Sequence, residues 1–224
     1  MGLTRLLVDY NDPRSLGSRL RRRRIQRFLE LVRLNHRERG HCRIVDIGGS
    51  ETYWRIVGDD FLDAHRCHIT LVNTVATRVS GHPRFTHVLG DGCALDFDDD
   101  AFDIAHSNSV IEHVGDWDRK RAFAAECGRV ARSHYVQTPN FWFPIEPHYL
   151  APGLQFLPMR WRAALLLKLP LGRMRRPASF AEAMRAVESI SLLTETKLRA
   201  LFPDSEIHYE RIAGLKKSLV AIRR

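Results

Sequence analysis

Residues 42–52 read CRIVDIGGSET, an apolar run that ends directly in two glycines and a serine. A short aliphatic run closed by glycine is typical of a strand buried in a parallel sheet. Glycines at the end of such a strand let the backbone approach a ligand closely, and a helix that follows offers free N–H groups to it. The stretch therefore predicts an α/β sheet with a binding edge where its first strand ends.

Further short apolar runs follow this one along the chain. They cover residues 68–72, 87–89, 102–106, 134–137, 206–211 and 218–222, and the last two are joined by a turn around Gly214. Residues 117–131 carry Phe123, Cys127 and Val130 on one helical face. The alternation predicts an α/β fold, Rossmann-like and doubly wound, with a mostly parallel seven-stranded sheet that ends in a C-terminal antiparallel hairpin.

The segments outside this alternation predict an N-terminal helix and an inserted lid around one compact domain. Residues 1–40 form a basic amphipathic helix that starts at Asp12-Pro13 and ends near His36, and residues 41–140 and 184–224 form the core. Residues 141–183 are rich in aromatic and basic side chains and follow the end of a strand, where ligands bind in open α/β sheets. We therefore expect them to cover a substrate.

Leucine and tryptophan recur every four residues within the lid. The positions are Leu157, Trp161, Leu165 and Leu169, with Arg160, Arg162 and Lys168 beside them. Such a stripe predicts a helix that packs on the sheet domain, and the alternative is an interfacial helix that contacts lipid.

Composition and charge narrow the class of protein. The chain has 224 residues, 44% hydrophobic and 27% charged, with no apolar run near the roughly 20 residues of a membrane-spanning helix. Its four cysteines are widely spaced, which indicates reduced thiols in a cytoplasm and no zinc knuckle or disulfide framework. We predict a cytoplasmic protein, with peripheral contact at the inner membrane surface as an option.

The net charge of +9 is concentrated in two segments. Residues 1–40 contain eleven arginines and four acidic residues, and residues 151–181 contain six basic residues and no acidic one. A basic surface of this kind suits an anionic membrane or, less well, nucleic acid. The alternative is an arginine-rich solvated face without a partner.

Two later segments resemble a known family. Residues 90–97 read GDGCALDF, residues 101–114 read AFDIAHSNSVIEHV, and Thr138-Pro139-Asn140 follows the fifth predicted strand. Together with the glycines after the first strand, they are similar to the class I S-adenosylmethionine-dependent methyltransferases of the type 11 small-molecule group. The resemblance covers about residues 41–140 and the C-terminal hairpin.

The resemblance implies S-adenosylmethionine as cofactor, S-adenosylhomocysteine as product and no metal. By position it implies that the first strand and its loop, with Asp46, Gly48, Gly49 and Ser50, hold the amino-acid end of the cofactor. Asn73, at the end of the second strand, would meet the ribose, and the loop after the third strand, with Asp91, Gly92 and Cys93, would meet the adenine. Ser107 and Asn108, at the end of the fourth strand, would face the methionine.

The sequence departs from the family pattern at two places. Ser50 and Thr52 stand where the family usually has glycine, and Asn73 stands where a carboxylate usually grips both ribose hydroxyls. An amide accepts one hydrogen bond and donates another, but without the charge that strengthens both. We therefore expect a weaker affinity for the cofactor.

Two histidines are the candidate catalytic residues. Methyl transfer from a sulfonium is mostly a matter of alignment, but a hydroxyl nucleophile also benefits from a base near neutral pH, and histidine is suited to that role. The candidates are His148 in the lid, with Glu146 to orient it, and His113 after the fourth strand. For His113 the alternative is a structural role that fixes its loop.

These observations predict O-methylation of a small-molecule, sugar or lipid-linked hydroxyl acceptor. One alternative is a methyltransferase that acts on RNA. It is disfavoured because residues 107–110 lack the Asn/Asp-Pro-Pro-aromatic element of enzymes that methylate amino groups of nucleic acids. The other alternative is a binding module of this fold without catalytic activity.

Overall fold

A computed structural model describes residues 16–77, 80–169, 171 and 175–224, with side chains from residue 25 onward. The predicted helix start at Asp12-Pro13 lies outside these residues. Helix α1 (Leu16–Arg39) continues three residues beyond the predicted end at His36 and stops at Gly40, whose φ is +73°.

Seven strands form one sheet, as the sequence predicts. They are β1 (Cys42–Ile47), β2 (Cys67–Asn73), β3 (Phe85–Leu89), β4 (Phe102–Asn108), β5 (Ala131–Pro139), β8 (Glu206–Ile212) and β9 (Leu215–Arg223), in the spatial order β3-β2-β1-β4-β5-β9-β8. The first five are parallel, and β9 runs antiparallel to both of its neighbours. The fold is Rossmann-like, with the C-terminal antiparallel strand pair at one side.

Helices connect and cover these strands. They are α2 (Glu51–Trp54), α3 (Asp59–Ala64), α4 (Trp117–Arg129), α5 (Met159–Lys168), α6 (Phe180–Glu188) and α7 (Glu195–Leu201), with 3₁₀-helices at Ile111–His113 and Leu154–Phe156. A side-chain oxygen accepts a hydrogen bond from a backbone N–H at the N-terminus of three of them. The pairs are Asp116 with Arg119 N–H, Ser179 with Glu182 N–H, and Thr194 with Lys197 N–H.

Apolar residues cover both faces of the sheet. Helix α1 contributes Phe28 and Val32 to a cluster that also contains Trp54 and Tyr135. On the other face, helices α4 and α7 pack over β4 and β5 around Phe123. None of the helices in the described ranges is both long enough and apolar enough to cross a membrane.

The segment after β5 has an apolar cluster of its own. The two-residue strands β6 (Ile145–Glu146) and β7 (Ala151–Pro152) pair before helix α5, which packs against helix α6 through Ala163, Leu166, Ala183 and Val187. The expected boundary of the lid at residue 183 therefore falls inside helix α6.

The predicted packing stripe of the lid helix is wrong. Leu157, Trp161 and Leu169 are exposed, and the buried residues of helix α5 are Ala163 and Leu166. Leu165, the fourth residue of the stripe, is partly buried and packs against the lid cluster. Helix α6 covers the side of α5 that carries Ala163 and Leu166, so Trp161 faces outward, while Leu157 and Leu169 lie outside the helix.

Candidate active site

The site lies where the strand order reverses between β1 and β4. In such sheets ligands bind at the carboxyl ends of the strands, beside the reversal. The structure brings the ends of β1, β2 and β4 together at this edge: Asn73 Nδ2 donates to the Gly49 carbonyl at 3.0 Å, and Ser107 Oγ donates to the Ile47 carbonyl at 3.1 Å. Both contacts join predicted cofactor residues to the loop after β1.

Asp46 is buried and fully engaged by neighbouring side chains. Trp54 Nε1–H donates to one carboxylate oxygen at 2.8 Å, and His106 Nδ1 lies 2.7 Å from the other. A Cβ at Gly49 would lie 1.7 Å from Asp46 Oδ2, so only glycine fits over this carboxylate. The Asp46 side chain therefore shapes the loop, and the loop presents its backbone to the sheet edge.

Asp91 stands at the end of β3 in an exposed ion pair. Nη2 of Arg119 lies 2.9 Å from each Asp91 oxygen, and Cys93 N–H donates to Oδ1 at 3.0 Å. The Cys93 N–H and the Arg119 guanidinium together hold the pKa of Asp91 below its usual value. Gly92 lies against Ile47 and Phe123, where a Cβ would come within 2.6 Å of Ile47 Cγ2.

Asn108, at the end of β4, carries an unsatisfied acceptor. Its Oδ1 is buried and has no hydrogen-bond partner within the described part of the chain. A buried acceptor without a partner is costly unless a ligand or water donates to it. We therefore expect a bound ligand to donate a hydrogen bond to this oxygen.

Both predicted catalytic histidines come together beside two glutamates. His148 Nε2 lies 3.1 Å from His113 Nε2, and His148 Nδ1 lies 2.7 Å from Glu146 Oε1. Glu112 is buried, accepts a hydrogen bond from Thr138 Oγ1 at 3.0 Å, and places Oε1 4.0 Å from His148 Nε2. The lid and the loop after β4 are thus joined at one cluster.

The pKa values of this cluster differ with its environment. Burial raises the pKa of Glu112 to about 7. Burial lowers the pKa of His113, although the hydrogen bond to the Ser189 carbonyl acts to raise it. Burial also acts to lower the pKa of His148, but the hydrogen bond and charge of Glu146 outweigh it, so that this pKa is raised.

A cavity of about 500 Å³ opens between the lid and the core. Its walls combine apolar and charged groups: Phe141, Glu146, Tyr149, Gln155, Arg162 and Ile190 are among them. The carboxylate of Glu146 belongs both to this wall and to the hydrogen bond with His148. The predicted cofactor residues lie outside the cavity lining, at the sheet edge.

Comparison with known proteins matches one family by sequence. A family profile described as "Methyltransferase domain" matches residues 57–134, which contain β2, β3, β4, helix α4 and the start of β5. The match begins after the loop in which Ser50 and Thr52 replace the usual glycines. Over these residues the chain is similar to the methyltransferase family, and the match covers about a third of its length. A search of curated protein sequences gives no match.

Solved structures share the fold at low sequence identity. A protein from Rhodobacter sphaeroides provisionally named a Zn-dependent alcohol dehydrogenase is 11% identical, with a TM-score of 0.53 over 81% of this chain and 83% of that one. The CMeT domain of the citrinin polyketide synthase is 7% identical, with a TM-score of 0.52 over 81% and 46%. A Burkholderia thailandensis 1,6-didemethyltoxoflavin-N1-methyltransferase is 16% identical, with a TM-score of 0.48 over 86% and 75%. Such likenesses describe the architecture alone.

The sheet edge suits S-adenosylmethionine, the cofactor that the similarity to the methyltransferase family indicates. The unsatisfied Asn108 Oδ1 can accept from an ammonium group, and Asp91 retains acceptor capacity for an amino group. The assignment of individual residues to parts of the cofactor stays a prediction.

Sequence reasoning missed two contributors to the site. Trp54 had no assigned role, although its position eight residues after Asp46 places the indole over that carboxylate. Glu112 was noted only as part of the family motif, and its burial beside both histidines depends on the packing of the loop against β5. The signal that could have indicated Glu112 is a charged residue inside an apolar run, since it stands between Ile111 and Val114.

Proposed function

We propose that this chain is an S-adenosylmethionine-dependent methyltransferase that methylates a hydroxyl group of a small molecule bound in the cavity under the lid. The observation that carries the proposal is the hydrogen bond from His148 to Glu146, because Glu146 lines the cavity while the two histidines lie behind it. Glu146 thus links the histidine pair to the cavity, and a hydroxyl nucleophile needs such a proton acceptor, whereas a thiolate or an unprotonated amine does not.

The cofactor would supply the methyl group as an activated sulfonium. The pair of His113 and His148 would take the proton of the acceptor hydroxyl, and the new bond from its oxygen to the methyl carbon would replace the bond to sulfur. The electron pair of that broken bond would stay on the sulfur of S-adenosylhomocysteine. The protein contributes alignment and the removal of one proton.

The cavity wall indicates the kind of acceptor. Phe141 and Tyr149 supply aromatic surface that suits an apolar skeleton or a sugar ring, and Arg162 reaches the same wall. The Arg162 Nε is buried and has no hydrogen-bond partner among the described residues, and burial lowers the pKa of this guanidinium. An acceptor with an acidic group near its hydroxyl would satisfy Arg162.

The exposed side chains of the lid favour an acceptor that is linked to a lipid and lies at a membrane. Trp142 and Trp161 are 65% and 68% exposed, and the exposed Arg160 and Lys168 belong to the same segment. Aromatic and basic side chains in one surface suit an anionic interface. Sedimentation with anionic and with neutral vesicles tests this membrane hypothesis. We expect the protein to sediment with the anionic vesicles and the Trp161→Ser variant to lose that binding.

The experiment that tests the proposed function follows transfer of a labelled methyl group. The purified protein is incubated with S-adenosylmethionine and fractions of cell metabolites, lipids or RNA, and the products are identified by mass spectrometry. We expect a methyl ether in a small-molecule or lipid fraction, at least about 100-fold less of it with His148→Gln, as for loss of a general base, and no reduction with His68→Gln, far away at the start of β2. Label in RNA, or no product in any fraction despite cofactor binding, would contradict the proposal.

A further inference from the structure

We infer that Glu112, His113 and His148 bind a divalent cation, with Zn²⁺ as the best fit. One potential ligand atom from each residue lies within 4.8 Å of the other two. Two imidazoles and one carboxylate are a ligand set that catalytic zinc sites use, with the fourth position open to water or substrate. The proposal deepens the proposed function, because it concerns the same cluster.

The first argument is the direction of the imidazole hydrogen bonds. His113 Nδ1 faces the Ser189 carbonyl at 3.1 Å, and His148 Nδ1 faces the Glu146 carboxylate at 2.7 Å. Both partners only accept, so each Nδ1 carries the proton, and in a neutral ring Nε2 then carries the lone pair. The two Nε2 atoms face each other at 3.1 Å, where two lone pairs repel unless a proton or a cation lies between them.

The second argument is that these partners are the ones that metal-bound histidines have. A histidine that binds a metal almost always donates its other ring N–H to a carboxylate or a backbone carbonyl, which fixes the tautomer and the ring orientation. His148 has the carboxylate and His113 has the carbonyl. Both rings are therefore held before any ion arrives.

The third argument is the state of Glu112. Its side chain is completely buried, Oε2 accepts from Thr138, and Oε1 has no hydrogen-bond partner within the described part of the chain. A buried carboxylate oxygen without a partner is costly, and a cation compensates it directly. The unsatisfied oxygen lies 4.0 Å from His148 Nε2.

The distances fit a tetrahedral ion after a small adjustment. Zinc to imidazole nitrogen is about 2.0–2.1 Å, so two nitrogens of one tetrahedral ion lie about 3.3 Å apart. The observed separation of 3.1 Å between the two Nε2 atoms is close to this value, and the 4.0 Å to Glu112 requires the carboxylate to approach by less than 1 Å.

The ion would change how the acceptor loses its proton. A bound ion would supply Lewis-acid chemistry, because it would lower the pKa of an acceptor hydroxyl at its open position. His113, His148 and Glu112 would hold the ion, which would then take over the proton removal that the proposed function assigns to the histidine pair. The acceptor oxygen would be held at the lid cavity, ready for the methyl group.

Metal binding is measured without any acceptor. The chain is stripped with a chelator, and Zn²⁺ is titrated against a competing fluorescent chelator, while Co²⁺ binding is followed by its visible absorption. We expect one ion per chain with tetrahedral Co²⁺ bands. Glu146→Gln should bind about 10–100-fold more weakly, because it loses the carboxylate that orients the His148 ring, and His113→Gln and His148→Gln should lose more. His82→Gln, on the exposed loop before β3, is the matched control and should bind like the unchanged chain.

Three outcomes separate this inference from the proposed function. No stoichiometric ion in the unchanged chain, or equal affinity in His113→Gln, overturns the metal site, and circular dichroism checks that the exposed His113 variant is folded. Methyl transfer that persists in chelator also overturns a catalytic ion but leaves the proposed function intact. Specific binding without methyl transfer to any acceptor supports the metal site and contradicts the function.

Discussion

The carboxylate of Asp91 is held by Arg119, whose Nη2 lies 2.9 Å from both of its oxygens. Both side chains are more than 40% exposed, so the pair itself contributes little to stability. The same carboxylate is the predicted acceptor for the adenine amino group. If that prediction holds, Arg119 and the cofactor share one carboxylate.

Asp91→Ala should weaken binding of S-adenosylhomocysteine by about 1–3 kcal/mol, the range for a hydrogen bond to a charged group. Calorimetry measures this directly. Arg119→Gln is the control, because it removes the exposed ion pair and leaves the carboxylate for adenine, so affinity should not fall. Equal losses in both variants would show that the ion pair, rather than a contact to adenine, is what the site needs.

Asn73→Asp should destabilise the protein. The Asn73 amide donates to the Gly49 carbonyl, and a carboxylate cannot, so that a half-buried carbonyl loses its donor and faces a negative charge. We expect a loss of about 1–3 kcal/mol in the free energy of unfolding by urea. The hydrogen bond to Gly49 would thus explain why an amide stands where the family usually has a carboxylate. An unchanged or higher stability of Asn73→Asp would contradict this explanation.

Gly49→Ala should cost about 3 kcal/mol or more. The new Cβ would meet Asp46 Oδ2 at 1.7 Å, and that carboxylate is fixed by Trp54 and His106 in the core. Gly128→Ala is the control: its Cβ would meet only the flexible end of Arg223 at 3.4 Å, and alanine suits a helix better than glycine. Thermal unfolding of both variants measures the difference, and similar midpoints would contradict the account.

Much of the fold could be predicted because it depends on local pattern. The strands from Cys42 to Ile222 are short apolar runs, so each is determined by a few adjacent residues. The lid stripe was wrong because which side of helix α5 is buried depends on helix α6, about 20 residues later. Periodicity shows that a helix has an apolar side, but not which neighbour covers it.

The site was only partly predictable for the same reason. His113 and His148 were candidates by chemistry, yet their contact across 35 residues arises from the fold of the lid. The partners of Asp46 were not foreseen either. His106 is sixty residues away in sequence, and the contact forms only because β1 and β4 are neighbours.

Glu146→Gln should lower the pKa of His148. In the unchanged chain the charge and hydrogen bond of Glu146 outweigh burial and raise this pKa; without that charge, burial dominates and the pKa falls below its ordinary value. Titration of the imidazole signals by NMR in the presence of a chelator measures both values. Glu188→Gln, a change in an exposed carboxylate of the same cavity, should leave the pKa unchanged. A raised pKa that survives Glu146→Gln would show that another group holds the His148 proton.

Glu112→Gln should change how stability depends on pH. The pKa of Glu112 is raised by burial to about 7 in the folded chain, whereas an unfolded glutamate titrates near its ordinary value of 4.5. Below pH 4.5 the carboxyl group is protonated in both states, so no buried charge opposes folding. Between pH 4.5 and 7 the unfolded chain ionises it while the folded chain keeps it protonated, so stability falls over this range and the loss is complete above 7. Glutamine keeps the acceptor for Thr138 and removes the titration.

The difference between the two chains is the measurement. Between pH 5 and pH 8 in chelator, the unfolding free energy of the unchanged chain should fall by about 2.5 kcal/mol relative to Glu112→Gln, from the size of the pKa shift. Urea unfolding at each pH gives both curves, and other titrating groups cancel in the comparison. Zinc should remove the loss, since a cation stabilises the ionised carboxylate. Parallel curves without metal would mean that Glu112 is ionised in the folded chain throughout this range, and the unsatisfied buried oxygen would then need another partner.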